Sequence, residues 1–432
     1  MFKYLWMVVQ DLFPAVTFAA LTHALLFRLL GRTGRRIHAA GLIAGTAASA
    51  VLAAVKFNTK LIISSHWNHY LYAILLVLSL LLFVLVPLFG RKERPEGKKA
   101  GTAALCAAGA ALSAVWIFYS LPGVLLYPFN FNTMGEGYFS SYYATRMLGW
   151  LAALILLAIY ARLLSGCALE IKPFGCLPAV TNAILLVNAV YWFGRFFVPW
   201  VNRAKWLGWS VRYTDEAYRW IGSWMMFTAD YSMLFLWITF VLAAVPAVVY
   251  FRQGTVLRDP YDNSAQLRKL KARNRGRRRI ASAVAAFLLV FVLVLTVVKA
   301  DDTRKVELSA PEHFTVDEAE GVVRIAMEDV SDGHLHRFEY TTPNGINVRW
   351  IVVKKPNSAS FGVGLDACEV CGNAGYFERN GQVICKRCDV VMNINTIGFK
   401  GGCNPIPLAC EVKDGSLVFS LEDLLAGEKE FK

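Results

Sequence analysis

Six of the nine cysteines in this 432-residue chain fall between Cys368 and Cys410. Four of them form two close pairs, Cys368-Glu-Val-Cys371 and Cys385-Lys-Arg-Cys388, in the pattern C-x₂-C-x₁₃-C-x₂-C. A fifth follows in Gly401-Gly402-Cys403-Asn404-Pro405. Each C-x₂-C can wrap one side of a metal ion, and four thiolates complete a tetrahedron. The spacing admits zinc, a single iron or an iron–sulfur cluster. Zinc would be structural and redox-silent; iron would make the site an electron carrier. The competing chemistry is oxidation, since six cysteines in an oxidising compartment suffice for three disulfides. Cys403 and Cys410 are the best placed to pair, because Pro405 and Pro407 bend the chain between them. Otherwise Cys403 is a further sulfur contact, in a Gly-Gly-Cys setting that can aim backbone N–H groups at an anionic sulfur.

Something must bring the two pairs together. Between them runs Tyr376-Phe-Glu-Arg-Asn-Gly-Gln-Val-Ile384, with Asn380-Gly381 at its middle. Both residues tolerate positive φ, so the run predicts a tight hairpin of the zinc-ribbon or rubredoxin kind. Period-two patterning predicts strands over 322–327, 335–340, 346–353 and 415–420. Pro343-Asn344-Gly345 reads as a turn, and Ser420 as the cap of a short helix over 421–426. The segment 301–432 is thus a small β-rich domain with few large core residues, to which a bound metal would add stability. His334 and His336, in Asp332-Gly-His-Leu-His-Arg, are predicted on one face of a strand, either solvated or as secondary metal contacts. Cys106, Cys167 and Cys176 lie upstream and read as inert.

The segment 1–300 has another character. The chain is 56% hydrophobic and only 18% charged, against about 25% charged for a soluble domain. The excess lies in apolar runs near 6–30, 37–56, 68–89, 101–127, 147–166, 178–200, 229–250 and 280–299. Each approaches the ~20 residues needed to cross a bilayer, so about eight transmembrane helices are expected. The net charge of +14 is gathered in alternate short loops, as in Arg28 to Arg36, Arg91 to Lys99 and Arg268 to Arg279. That pattern is the positive-inside distribution of a membrane protein, not a nucleic-acid surface. It puts the C-terminal domain on the extracytoplasmic side. The Trp- and Tyr-rich connection 201–228 is expected to lie along the membrane interface. Asp11, His66 and His69 fall near one end of their spans, as wetted residues or as contacts to a metal, quinol or haem. His23 lies deeper and has no obvious partner. No predicted span carries a glutamate, so the bundle reads as an anchor, docking surface or electron conduit rather than a channel.

The C-terminal motifs resemble one known family. Leu335-His336-Arg337-Phe338, Asp366-Ala-Cys368-Glu-Val-Cys371-Gly372, Gly375-Tyr376, Val383-Ile-Cys385-Lys-Arg-Cys388, Asn393-Ile-Asn395 and Thr396-Ile-Gly398 through Gly401-Gly-Cys403-Asn-Pro-Ile-Pro407 resemble the FtrD-like membrane iron–sulfur proteins. The resemblance covers the last quarter to third of the chain. It implies a place in the bacterial inner membrane, with a periplasmic C-terminal domain, beside an iron permease and a periplasmic iron-binding protein. It implies electron transfer or iron handling there, with an iron–sulfur cluster or mononuclear iron as cofactor and zinc as the alternative.

Overall fold

Apolar runs rich in Leu, Ala and Val leave the backbone to satisfy itself, which in lipid means helices. The computed structural model describes residues 3–59, 62, 64–90, 99–129, 141–206, 215–256, 260–303, 307–379, 381–387 and 390–431. It divides into two compact units, one within Met1–Asn130 and Ala144–Asp302, the other built on Thr303–Lys432. The first unit contains α1 (Lys3–Leu30), α2 (Arg32–Thr59), α3 (Ser64–Phe89), α4 (Lys99–Leu126), α5 (Ser141–Glu170), α6 (Cys176–Trp206), α7 (Asp215–Asp230), α8 (Ser232–Gln253) and α9 (Ser264–Leu293). α9 runs on through a π-turn, Val294–Val298, into α10 (Lys299–Asp302). Among the described residues, eight helices are long and apolar enough to cross a membrane.

α1 is the axis of this bundle, with 78% of its most apolar window buried. Phe13 stacks on Phe240 of α8 and meets Tyr160 of α5 and Phe291 of α9. α2 packs on α4 through small residues: a Cβ on Gly45 would come within 2.5 Å of the Ala114 carbonyl oxygen, and one on Gly41 within 2.8 Å of that of Ala110. Such residues let helix backbones approach where water supplies no drive for association. The start of α1 and the end of α10 lie together: the Trp6 indole donates to Asp302 at 2.9 Å and Lys299 to Gln10 at 2.7 Å.

Three expectations change. His23 does have a partner: its Nδ1 lies 3.4 Å from Nδ1 of His38, whose Nε2 lies 3.1 Å from the Ser113 hydroxyl. That meeting depends on how α1, α2 and α4 cross. The 201–228 connection is largely helical, because Trp220, Trp224 and Phe227 recur at helical spacing and stack in series through α7 to Tyr231; residues 207–214 lie outside the described residues. α5 extends beyond its apolar run to Glu170, which accepts from the Tyr250 hydroxyl at 2.8 Å and faces Arg277 at 3.8 Å. The basic run before the last span is likewise helical, capped by Asn263, which accepts from the Gln266 N–H at 2.9 Å.

The second unit is antiparallel throughout. Its strands are β1 (Thr315–Asp317), β2 (Val322–Ala326), β3 (His336–Thr341), β4 (Asn347–Lys354), β5 (Phe361–Leu365), β6 (Tyr376–Arg379), β7 (Gln382–Cys385), β8 (Glu411–Lys413) and β9 (Ser416–Ser420). They form sheets of order β1-β2-β9-β8, β3-β4-β5 and β6-β7. Ser420 caps α11 (Leu421–Ala426) by accepting from the Glu422 N–H. β4 is buried on both faces. Val348, Trp350 and Val352 join one core with Phe338 and Phe419. Ile351 and Val353 join a second core with Cys368, Cys371 and Cys385. Successive side chains point to opposite faces, so one strand forms a wall of both.

Gly45→Val should overpack the α2–α4 contact and destabilise the helical unit by about 1–3 kcal/mol. Thermal unfolding in detergent measures it; an unchanged midpoint would remove the close-approach role of Gly45.

Candidate metal centre

Cys385 ends β7, where it faces Tyr376 across the hairpin. Gly381, the second residue of the turn, has φ +72°; Asn380 lies outside the described residues. The other cysteines come from a short loop after β5. Cys368 and Gly372 exchange backbone hydrogen bonds of 3.1 and 2.9 Å, closing a turn around Cys371. Gly372 takes φ +64° to make it. The Cys371 N–H donates to the Cys368 sulfur at 3.1 Å. The hairpin and loop bring the three buried sulfurs of Cys368, Cys371 and Cys385 within 4.8 Å of one another. A tetrahedral ion with bonds of ~2.3 Å to sulfur spaces its sulfurs ~3.8 Å apart, so these three need close by only about 1 Å. The donor set and spacing fit a thiolate-bound metal. Cys388, expected as the fourth ligand, lies outside the described residues.

Cys403 packs against the same core. Its carbonyl accepts from the Tyr376 hydroxyl at 2.7 Å. Tyr376 also lies beside the Cys368 and Cys385 sulfurs; burial, then those sulfurs, push its phenol well above its ordinary value. Cys410 is elsewhere. It packs on the Trp350 core, and burial pushes its thiol up to about 11, which keeps it protonated and unreactive. Cys403 and Cys410 are not bonded to each other.

A buried carboxylate locks the cysteine loop to the sheet. Asp366 is fully buried and accepts from the Tyr376 N–H at 2.7 Å, from Arg337 Nε at 3.1 Å and from Arg349 Nε at 3.3 Å. Arg337, only 1% exposed, also donates to the Tyr376 carbonyl and to Ser309. Burial pushes the Asp366 carboxyl above its ordinary value; Arg337, the Tyr376 N–H and Arg349 pull it back. Gly375 makes room for this contact, since a Cβ there would meet an Asp366 oxygen at 2.9 Å. The sequence carries no mark of this lock beyond charged residues in apolar surroundings.

Among the described residues of the second unit, neither His334 nor His336 belongs to the sulfur cluster. His336 begins β3, is buried, and has both ring nitrogens engaged: Nδ1 by Glu312 and Nε2 by Asp332, each at 2.8 Å. A ring held this way is doubly protonated and offers no lone pair to a metal. His334 precedes the strand, is exposed, and bonds Glu378 at 2.9 Å; the two do not share a strand face. His69 is buried in α3 against the Tyr70 ring, and the His66 side chain lies outside the described residues.

Residues 330–431 match the family model described as "Membrane iron-sulfur containing protein FtrD-like". Comparison with curated proteins and with solved structures finds no match.

Asp366→Ala would strand Arg337 as a buried unpaired charge. A loss of about 3–5 kcal/mol is expected, read from unfolding of the second unit within the full chain; a loss below ~1 kcal/mol would show that the lock is dispensable. For His336, burial pulls the ring down, but the hydrogen bonds to Asp332 and Glu312 outweigh it and its value is raised. Its stabilisation is therefore complete below the ordinary value of 6.5 and fades as pH rises through the elevated one. The stability difference between wild type and His336→Gln should shrink as pH rises above the ordinary value of 6.5; a difference independent of pH would contradict the imidazolium assignment.

Proposed function

We propose that this chain is a membrane-anchored iron protein that passes electrons to, or handles iron for, a bacterial iron-uptake system. The observation that carries the reading is the buried trio of sulfurs from Cys368, Cys371 and Cys385 within 4.8 Å, in the segment that matches the iron–sulfur family model. Cys388 supplies the fourth thiolate, and Cys403, packed against the same core, is a further sulfur that binds the metal or packs beside it. The compact sulfur spacing favours one ion over a four-iron cluster, in which each thiolate binds a different iron and the sulfurs stand farther apart. Iron held by four thiolates supplies a one-electron ferric/ferrous couple. The chain's own residues do the rest. Burial of the sulfurs excludes water, and the Cys371 N–H directed at Cys368 stabilises a thiolate and tunes the site. The positive-inside pattern favours an inner-membrane bundle with this domain in the periplasm. Its partners there are an iron permease and a periplasmic iron-binding protein, as the family resemblance implies.

The same spacing also suits zinc, which gives a second reading: a redox-silent knot that docks the iron-binding protein onto the permease. Metal analysis with absorption and EPR spectroscopy of anaerobically purified protein separates them. The expected result is one iron per chain with a visible thiolate-to-iron band and a high-spin ferric signal. Cys368→Ser, Cys371→Ser, Cys385→Ser and Cys388→Ser should each lose the metal, and Cys410→Ser should keep it. A colourless, EPR-silent, zinc-loaded protein would end the redox reading.

A further inference from the structure

The helical unit holds a cavity of about 660 Å³ that the cysteine site does not use. Small-molecule sites commonly run about 300–1,000 Å³. It is built where α1, α3 and α8 begin and α2 and α4 end, with the second half of α6 behind. It therefore lies toward one end of the bundle rather than at its middle. One wall is a set of rings: Trp192 meets Tyr191, Tyr119 and Trp116 with centroids 5.0, 5.3 and 5.9 Å apart. Polar side chains also line it, Gln10, Asn68, Ser120 and Thr239 among them. Asp11 lines the cavity and accepts from the Tyr127 hydroxyl. Lys56 and Asn188 also line it. The buried Trp192 indole N–H has no hydrogen-bond acceptor among the described residues.

We propose that this cavity binds the head group of an isoprenoid quinone. A carboxylate in a membrane span is costly and is kept for a purpose. Here it offers an acceptor to a quinol hydroxyl, while Lys56 and the second N–H of the Asn188 amide, whose first donates to the Ile184 carbonyl at 2.7 Å, offer donors to a quinone carbonyl. The aromatic wall provides faces and edges for a planar ring to pack against. Trp67 and Tyr70 line the cavity and are exposed, and from them the exposed residues Ile74, Val77, Leu81, Val84 and Leu88 continue down one face of α3. That stripe gives an apolar tail a path along the lipid side. An organic cation fits less well, since the cavity lining already holds a cation, Lys56. A lipid acyl chain would leave the polar groups unanswered. Among the described residues no cysteine lines the cavity, so the proposal is independent of which metal the other unit holds.

The test uses the full-length, metal-loaded protein in quinone-free phosphatidylcholine nanodiscs, titrated with short-tailed ubiquinone and menaquinone, each oxidised and reduced. Tryptophan fluorescence is the readout. Saturable quenching at one quinone per chain is expected. Asp11→Asn should weaken binding of the reduced form by about tenfold. Gly123→Phe should abolish saturation, because Gly123 lines the cavity and a Cβ there meets nothing within 4 Å. Metal content should be the same in all three proteins, which separates a failure here from a failure of the iron reading. Non-saturating quenching would overturn the proposal. So would equal binding of an isoprenoid alcohol without the ring, or wild-type affinity in both variants; equal binding of the alcohol would mark the cavity as a lipid site.

Discussion

Asp366 stands in the interior with no water to solvate it, and a charge there must be matched by fixed donors. Two guanidiniums and one backbone N–H do so. Because Arg337 belongs to β3, Arg349 to β4 and the N–H to the first residue of β6, one carboxylate fixes three strands to the loop that leads into Cys368. The separation of the sulfurs is a consequence. Cys368 lies two residues beyond Asp366, and Cys385 sits opposite Tyr376 in the hairpin. Movement of the carboxylate would move both sides of the site.

The same economy appears in β4. A strand with one wet face alternates polar and apolar side chains, but this one reads Asn-Val-Arg-Trp-Ile-Val-Val-Lys. Its centre is apolar on both sides because both are covered, one by the aromatic core around Trp350 and the other by the cysteine core. The domain has no single large core. Among the described residues it has two small ones sharing a wall, the second holding the sulfur cluster, and a third of Phe377, Ile384 and Val391. A metal there would add stability to a unit whose apolar burial is divided.

In the helical unit the limiting condition is different. Lipid gives helices little reason to associate, so contacts depend on close packing and on polar groups that find each other. Gly41 and Gly45 bring α2 onto α4, and Ser49 returns its hydroxyl to the Gly45 carbonyl. Polar pairs collect toward both ends of the bundle: Glu170 with Tyr250 and Arg277 at one, Asp11 with Tyr127 at the other. His23 and His38 meet deeper within it.

Much was legible from residue order alone. Eight apolar runs long enough to span, two C-x₂-C pairs around an Asn-Gly turn, and a Ser-capped final helix depend on local periodicity and local backbone preference. These are short-range properties, and the described residues keep the eight helices, the β6–β7 pairing and the cap, while Asn380 and Cys388 lie outside them. The strands β1, β5 and β8 were not legible: β1 and β8 are three residues long, and β5 reads Phe-Gly-Val-Gly-Leu, whose glycines break the alternating pattern. Nor was α7, where aromatic content suggested an interfacial loop although its spacing is helical. The partnership of His23 with His38, the capture of His336 by two carboxylates and the Asp366 lock join residues far apart in the chain or set by crossing angles. Residue types and spacing determined that sulfur chemistry was available; only the tertiary structure decided which sulfurs meet and which histidines stay out, because distance between remote side chains is a property of packing, not of sequence.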